Sequence, residues 1–295
     1  MLKHIGEMRR GPILRGLVVL VLALVAAAGA SMARAEELWK TLPDPKPLPA
    51  PVTTGYVPVG GVKIWYATFG EGSPVLLLHG GLANSDYWGD QVPALVADHH
   101  QVIVIDTRGH GRSTRDATPY TYGLLASDAL AVLDALKIDK VALVGWSDGG
   151  IVGLDIAINH PERLTKLWAF GANYNVSGLK PDVDKDPVFS RYIEKAGKDY
   201  AKISPTPGDY DAFVTQIIGL WNGQPDYKKE ELAKITTPTV IADGAYDEGI
   251  KREHTEEMAK LIPGAKLLIL PDTSHFAHWQ NPALYNKELL AFIDG

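Results

Sequence analysis

Ser147 stands in the run Gly145-Trp146-Ser147-Asp148-Gly149, a G-x-S-x-G spacing. A serine hydroxyl attacks a carbonyl when a neighbouring base takes its proton and a third group holds that base in place. The chemistry to look for is therefore acyl transfer. The attacked carbonyl oxygen gains negative charge, and two aimed backbone N–H groups stabilise it. The loop His79-Gly80-Gly81-Leu82 offers one of them. Asp148, directly after the serine, is expected to give one N–H, and Gly81 the other, with Leu82 as the alternative. His79 is read as shaping this loop rather than as the base.

The base is sought among nine histidines. His4 belongs to an N-terminal leader. His99, His100, His160 and His254 fall where helix ends or surface loops are expected, and His110 lies in the polar loop 106–113. His275 follows an apolar run across Pro271-Asp272-Thr273-Ser274. That places it at the carboxyl end of a sheet, where ligands bind in such folds. His278 is three residues further on and is expected to point elsewhere. Asp247 follows another run through Asp243-Gly244-Ala245-Tyr246 and is the carboxylate expected to orient the base. Its neighbours Asp243 and Glu248 are the alternatives for that role, with a turn-forming, solvent-facing reading preferred for both. The chain order is Ser147, Asp247, His275. Trp146 is a candidate substrate-binding group. Tyr174, Trp221 and Phe276 are further aromatic candidates for lining the pocket.

These residues need strands to hold them. Residues 75–78, 102–105, 141–144, 166–170, 239–242 and 266–270 are short apolar runs, typical of parallel strands covered on both faces. Residues 62–68 alternate and read as an antiparallel strand. Residues 122–136 and 149–159 carry apolar positions at helical spacing, and helix-like segments follow the two late runs. Strand alternating with helix implies a mostly parallel, doubly wound α/β sheet. Residues 174–232 break the rhythm. They hold amphipathic pieces near 187–202 and 209–222 and read as a small helical cap inserted into a core of 55–173 and 233–295.

The N-terminus reads as an export signal. Lys3, Arg9, Arg10 and Arg15 precede an uncharged apolar run over 16–30, and Ala33-Arg34-Ala35 offers small residues for cleavage after Ala35. The run is shorter than the roughly 20 residues a membrane-spanning helix needs. An uncleaved anchor is the alternative, and no stable membrane insertion is expected once the leader is gone. Residues 36–54, with proline at every second position from 43 to 51, read as an extended linker or strap. The net charge is −6 and no basic cluster follows Arg9-Arg10, so a nucleic-acid surface is not expected. Cysteine is absent, so no disulfide staples the fold.

The motifs at 79–81, 106–113, 145–149, Asp247 and His275 with Asn281-Pro282 downstream resemble the α/β-hydrolase superfamily over about residues 55–295. Gly145 to Gly150 and Gly171-Ala172-Asn173 are similar to its valacyclovir hydrolase-like (biphenyl hydrolase-like) group. The resemblance implies an α/β-hydrolase fold, a serine hydrolase acting on a small-molecule ester, and no metal or organic cofactor. It also implies that Asp148 helps bind the α-amino group of amino-acid esters. Carbon–carbon bond hydrolases and lactonases carry the same motifs. A non-catalytic small-ligand receptor with an intact triad is a reading of another class.

Overall fold

A run of four apolar residues has no wet face, so it is stable only where both sides of a strand are covered. The structure, a computed structural model, describes residues 37–295, and the expected leader lies outside them. Strands β1 (Thr53–Val59), β2 (Val62–Phe69), β3 (Ser73–Leu78), β4 (His100–Asp106), β5 (Val141–Trp146), β6 (Leu164–Phe170), β7 (Thr239–Gly244) and β8 (Lys266–Leu270) form one sheet. Their order is β1-β2-β4-β3-β5-β6-β7-β8. β1 and β2 run antiparallel, and β2 is antiparallel to β4. From β4 to β8 all neighbours are parallel. This is the doubly wound sheet the alternation implies. β1 is the strand the sequence reading missed. It is an edge strand whose residues are exposed or half-buried, so it has no apolar run.

The helices are α1 (Gln91–Ala97), α2 (Tyr122–Ala135), α3 (Asp148–Asn159), α4 (Pro187–Ile203), α5 (Tyr210–Gly223), α6 (Lys229–Leu232), α7 (Arg252–Leu261), α8 (Ala277–Gln280) and α9 (Pro282–Asp294). They cover both faces. Along β3 the side chains alternate, Leu76 and Leu78 packing with α2 and α3, Val75 and Leu77 with the cluster that includes α1 and α9. α4, α5 and α6 lie in the long connection between β6 and β7. α4 starts at Pro187, with Asp186 accepting from the N–H groups of Val188 and Phe189.

Residues 41–51 are extended and packed down. The Lys46 N–H donates to Asp90 (3.3 Å) and Gln280 Nε2 donates to the Thr41 carbonyl (2.8 Å). Just before them, Trp39 stacks on Tyr246 with ring centroids 4.7 Å apart.

The loop after β4 is tied to α2 by a buried ion pair. Arg108 donates from Nε and Nη2 to the two oxygens of Asp128, at 2.8 and 2.7 Å. A bidentate pair out of water is stable only while both partners are present. Asp128→Ala should therefore cost about 3–5 kcal/mol of folding stability, read as a lower urea midpoint.

Candidate active site

The parallel register between β3 and β5 pairs Leu78 with Gly145, so the loops leaving these strands emerge side by side. β5 ends in a sharp turn into α3. Ser147 sits at its apex with φ 55° and ψ −121°, a strained backbone for a residue with a side chain. The turn is held from both sides: the Ser147 N–H donates to the Phe170 carbonyl (2.8 Å), and the Ile151 N–H to the Ser147 carbonyl (3.0 Å). Glycine is required beside it. A Cβ on Gly149 would overlap the Leu78 carbonyl at the end of β3.

The loop after β3 is fixed by two histidines whose tautomers follow from their partners. A backbone N–H can only donate, so His79 Nε2 accepts from Thr107 (3.1 Å), and its Nδ1–H faces the Gly80 carbonyl (2.8 Å). His110 Nε2 likewise accepts from the Leu82 N–H (3.1 Å), with Nδ1 toward the Arg108 carbonyl (3.0 Å). Both rings are buried, and burial lowers both below the ordinary imidazole value, for His110 with help from the nearby His79. They are neutral scaffold.

His275 leaves β8 and crosses the end of β6. A Cβ on Gly171, which has φ 60°, would come within 2.8 Å of the ring. Its Nδ1 meets Asp247 Oδ2 at 2.6 Å, and Asp247 Oδ1 accepts from the N–H groups of Gly249 and Ile250, each at 2.7 Å. Burial alone would raise the Asp247 carboxyl, but the His275 charge and hydrogen bond hold it at about 2. Burial alone would lower His275, and Asp247 outweighs it and raises the imidazole.

One cavity joins these groups. Including its open mouth it encloses about 540 Å³ and is lined by Ser147, Asp148 and His275, with Leu179, Val183, Phe189 and Trp221 from the long β6–β7 connection. Gln224, just after α5, and Tyr122 complete the polar side. The Asp148 carboxylate is buried there. It accepts from the Tyr122 hydroxyl (2.9 Å on Oδ1) and from Trp221 Nε1–H (3.0 Å to each oxygen). Burial raises its pKa, and those two donors oppose the rise.

Several expectations need correcting. Trp146 is not among the residues lining the cavity. Its indole is buried behind the elbow, where Nε1–H donates to the His275 carbonyl (2.9 Å). Phe276 and Tyr174 are also buried away from the cavity, and of the aromatic candidates only Trp221 lines it. Asp243 and Glu248 are not solvent-facing: they are buried beside Asp247. His100 and His254 are buried too, His254 stacked on Tyr174 at 4.3 Å. His278 is buried against Trp146, away from the cavity. Tyr122 and Gln224 were missed. Nothing in their local sequence announces that Tyr122 donates to Asp148 or that Gln224 accepts the Tyr122 N–H at 3.1 Å. At the amino end of β4, Asp98, His100 and Asp294 bring one ligand atom each within 4.8 Å of one another, and both acids are exposed.

The sequence profile described as alpha/beta hydrolase fold matches residues 73–208. The human serine hydrolase BPHL is 30% identical over 253 residues, covering 80% of this chain and 84% of that protein. The chain belongs to the α/β-hydrolase family. The 2-hydroxy-6-oxo-6-(2'-aminophenyl)hexa-2,4-dienoic acid hydrolase of Metapseudomonas resinovorans is 28% identical over 269 residues, covering 81% of this chain and 90% of its own. A solved N-acyl homoserine lactone degrading enzyme superposes with a TM-score of 0.65 at 28% identity, covering 81% of this chain and 100% of that one. The resemblance to the biphenyl hydrolase-like group read from Gly145 to Gly150 agrees with the BPHL match. The chain is an α/β-hydrolase-family hydrolase.

The Asp247–His275 pair has a defined pH window. A carboxyl held low stabilises the fold above its unfolded value of 3.8 and stops doing so as pH falls through about 2. A raised imidazole stabilises the fold below its unfolded value of 6.5 and stops doing so as pH rises through the folded value. Asp247→Asn should thus lose on the order of 2 kcal/mol between these limits, and the loss should shrink as pH falls through about 2 or rises through the folded imidazole value. Urea unfolding across pH measures this.

Proposed function

We propose that the chain is a serine hydrolase that cleaves a carboxylic ester of a small molecule through an acyl-enzyme intermediate. The observation carrying this reading is one cavity lined by Ser147 on a strained elbow and by His275, whose Nδ1 is bonded to Asp247. With Nδ1 committed to Asp247, Nε2 is the nitrogen left to serve Ser147. It takes the hydroxyl proton as Oγ bonds to the ester carbon. The carbonyl oxygen becomes an oxyanion held by the N–H groups of Asp148 and Gly81. Gly81 is the donor on its loop because the Leu82 N–H is already given to His110. His275 then delivers the proton to the leaving alcohol. Water next attacks the acyl-enzyme, losing its proton to His275, and the acid leaves as Ser147 regains its proton. The segment over 174–232 serves as a cap, supplying Phe189 and Trp221 to the cavity.

Asp148 supports a preference within that class. Its carboxylate lines the cavity, and a carboxylate has about four acceptor positions, more than Tyr122 and Trp221 fill. A substrate ammonium fits the remainder, which suits amino-acid esters. The lactone-degrading and oxo-hexadienoic acid-hydrolysing relatives make lactones and oxo-hexadienoic acids the necessary comparison substrates. We also propose export, on the basic and apolar leader ending at Ala35; a purified mature N-terminus at Glu36 is the expected result.

A panel of p-nitrophenyl esters, lactones and amino-acid esters tests the reading. Ester turnover should fall by several orders of magnitude in Ser147→Ala and His275→Ala. Near-normal turnover in either defeats the proposal. Saturable binding without turnover in the wild type would indicate a receptor. Amino-acid esters should outrun matched esters lacking the amine by about tenfold or more, a gap that Asp148→Asn closes.

A further inference from the structure

Asp243 near the end of β7 and Glu248 in the turn after it are two carboxyls that the reaction above does not use, and both are buried. Asp243 is 1% exposed and Glu248 9%. Glu248 Oε2 accepts the backbone N–H of His275 at 3.0 Å, while its buried Oε1 finds no partner among the described residues. We propose that Glu248 is a positioning residue for His275, anchoring the backbone of the base and setting a second negative charge beside that of Asp247. The proposal rests on His275 being the general base.

The contact is specific. Asp247 fixes the ring from Nδ1, and Glu248 fixes the main chain of the same residue. Trp146 completes the hold from the carbonyl side. Imidazole position is thereby set at three points on the chain, two of them from consecutive residues of one turn. Asp247 exerts the larger charge effect on His275, and an ionised Glu248 adds to it in the same direction.

The surrounding charges fix the sign. Asp243, buried and beside Asp247, is pushed well up by burial and then by the Asp247 charge, so it is the neutral acid of the cluster, with Thr255 donating to it at 2.8 Å. Lys180 donates to the Asp247 carbonyl, and Arg252 to the Gly244 and Ala245 carbonyls, so both cations face the turn through backbone oxygens. Lys185, Asp182 and Asp186 line a surface cleft on the outer side of Glu248. Asp148 faces the imidazole across the cavity, and His278 behind it is held neutral by burial and by His275. Burial, then the Asp247 charge, raises Glu248 to about 7. Glu248 thus ionises near neutrality, and as it does so it strengthens His275 as a base. The two groups titrate as a coupled pair.

Glu248→Gln tests this, because glutamine keeps an oxygen for the His275 N–H and removes only the charge. The His275 imidazole is followed by NMR pH titration of the resting enzyme, and by the acid limb of kcat/KM on the best ester of the panel. Both should move down by about one pH unit, a tenfold change in neutral imidazole on that limb. Glu248→Ala also removes the acceptor, and its kcat should fall about tenfold or more at the plateau with KM little changed. An imidazole that titrates in Glu248→Gln as in the wild type overturns the proposal, as does a wild-type kcat plateau in Glu248→Ala. The NMR arm needs no substrate. An unmoved imidazole therefore defeats this proposal alone, whereas an inert enzyme in the substrate panel defeats the ester-hydrolase reading.

Discussion

The carboxyl ends of β3, β5 and β6 approach one another more closely than side chains permit, and the site is built on that approach. Gly149 lies against the Leu78 carbonyl, and Gly171 against the His275 ring. The first contact lets α3 start within one residue of Ser147 while the loop after β3 passes alongside. The second lets a residue from β8, three strands from β5, reach the same cavity as the serine. Without these two close contacts the sheet would still form, because its strands are held by apolar side chains on both faces. Ser147 and His275 would no longer converge on one cavity. Fold and site therefore have separate causes: hydrophobic patterning specifies the sheet, and a few backbone approaches specify what meets at its edge.

Burial sorts the ionisable groups around the cavity into scaffold and machinery. Taking a charge out of water is costly unless a partner or hydrogen bonds replace the solvent. His79, His110 and His278 have no carboxylate partner and are lowered, so they serve as neutral polar scaffold or packing. His275 alone among the four faces an ionised carboxylate directly, and it alone is raised. The acids divide in the same way. Asp247, bonded to His275 and two backbone N–H groups, is lowered, while Asp243 and Glu248, less well supplied with donors, are raised. Titratable groups pushed apart by their surroundings are what acid–base catalysis requires, and here they sit within one turn and one loop.

The sequence showed the central sheet, the elbow, and Ser147, Asp148 and His275 at the cavity, because each leaves a local mark: an apolar run, a glycine pair, a histidine just past a strand. It did not show β1, whose edge position removes the need for an apolar pattern. It also misjudged direction. Asp243 and Glu248 look like ordinary turn acids, but Thr255 on α7 bonds the first and His275, 27 residues on, bonds the second. Trp146 beside the nucleophile suggested a pocket wall. Side chains alternate in β5, and that alternation sends the indole beneath the sheet edge while Ser147 faces the cavity. Tyr122 and Gln224 were invisible because their partners, Asp148 and the Tyr122 N–H, lie on elements remote in sequence.

The stretch after residue 37, which opens with a single helical turn over Leu38–Lys40, bears on the same loops. Trp39 stacks on Tyr246, immediately before Asp247, and Thr41 accepts from Gln280. Gln280 in turn accepts the Ser274 N–H through Oε1 at 2.7 Å, one residue before His275. Lys195 on α4 pairs with Asp44 at 2.8 Å, and Arg191 donates to the Lys40 carbonyl. The strap thus touches the Asp247 turn, the His275 loop and the helix that carries Phe189. Each contact is modest, and the exposed ion pair contributes little by itself. Their distribution matters more than their strength, because loops at a sheet edge are otherwise free to open locally. A segment whose composition marks it as a linker becomes, in this packing, the outer brace of the loops that present Asp247 and His275.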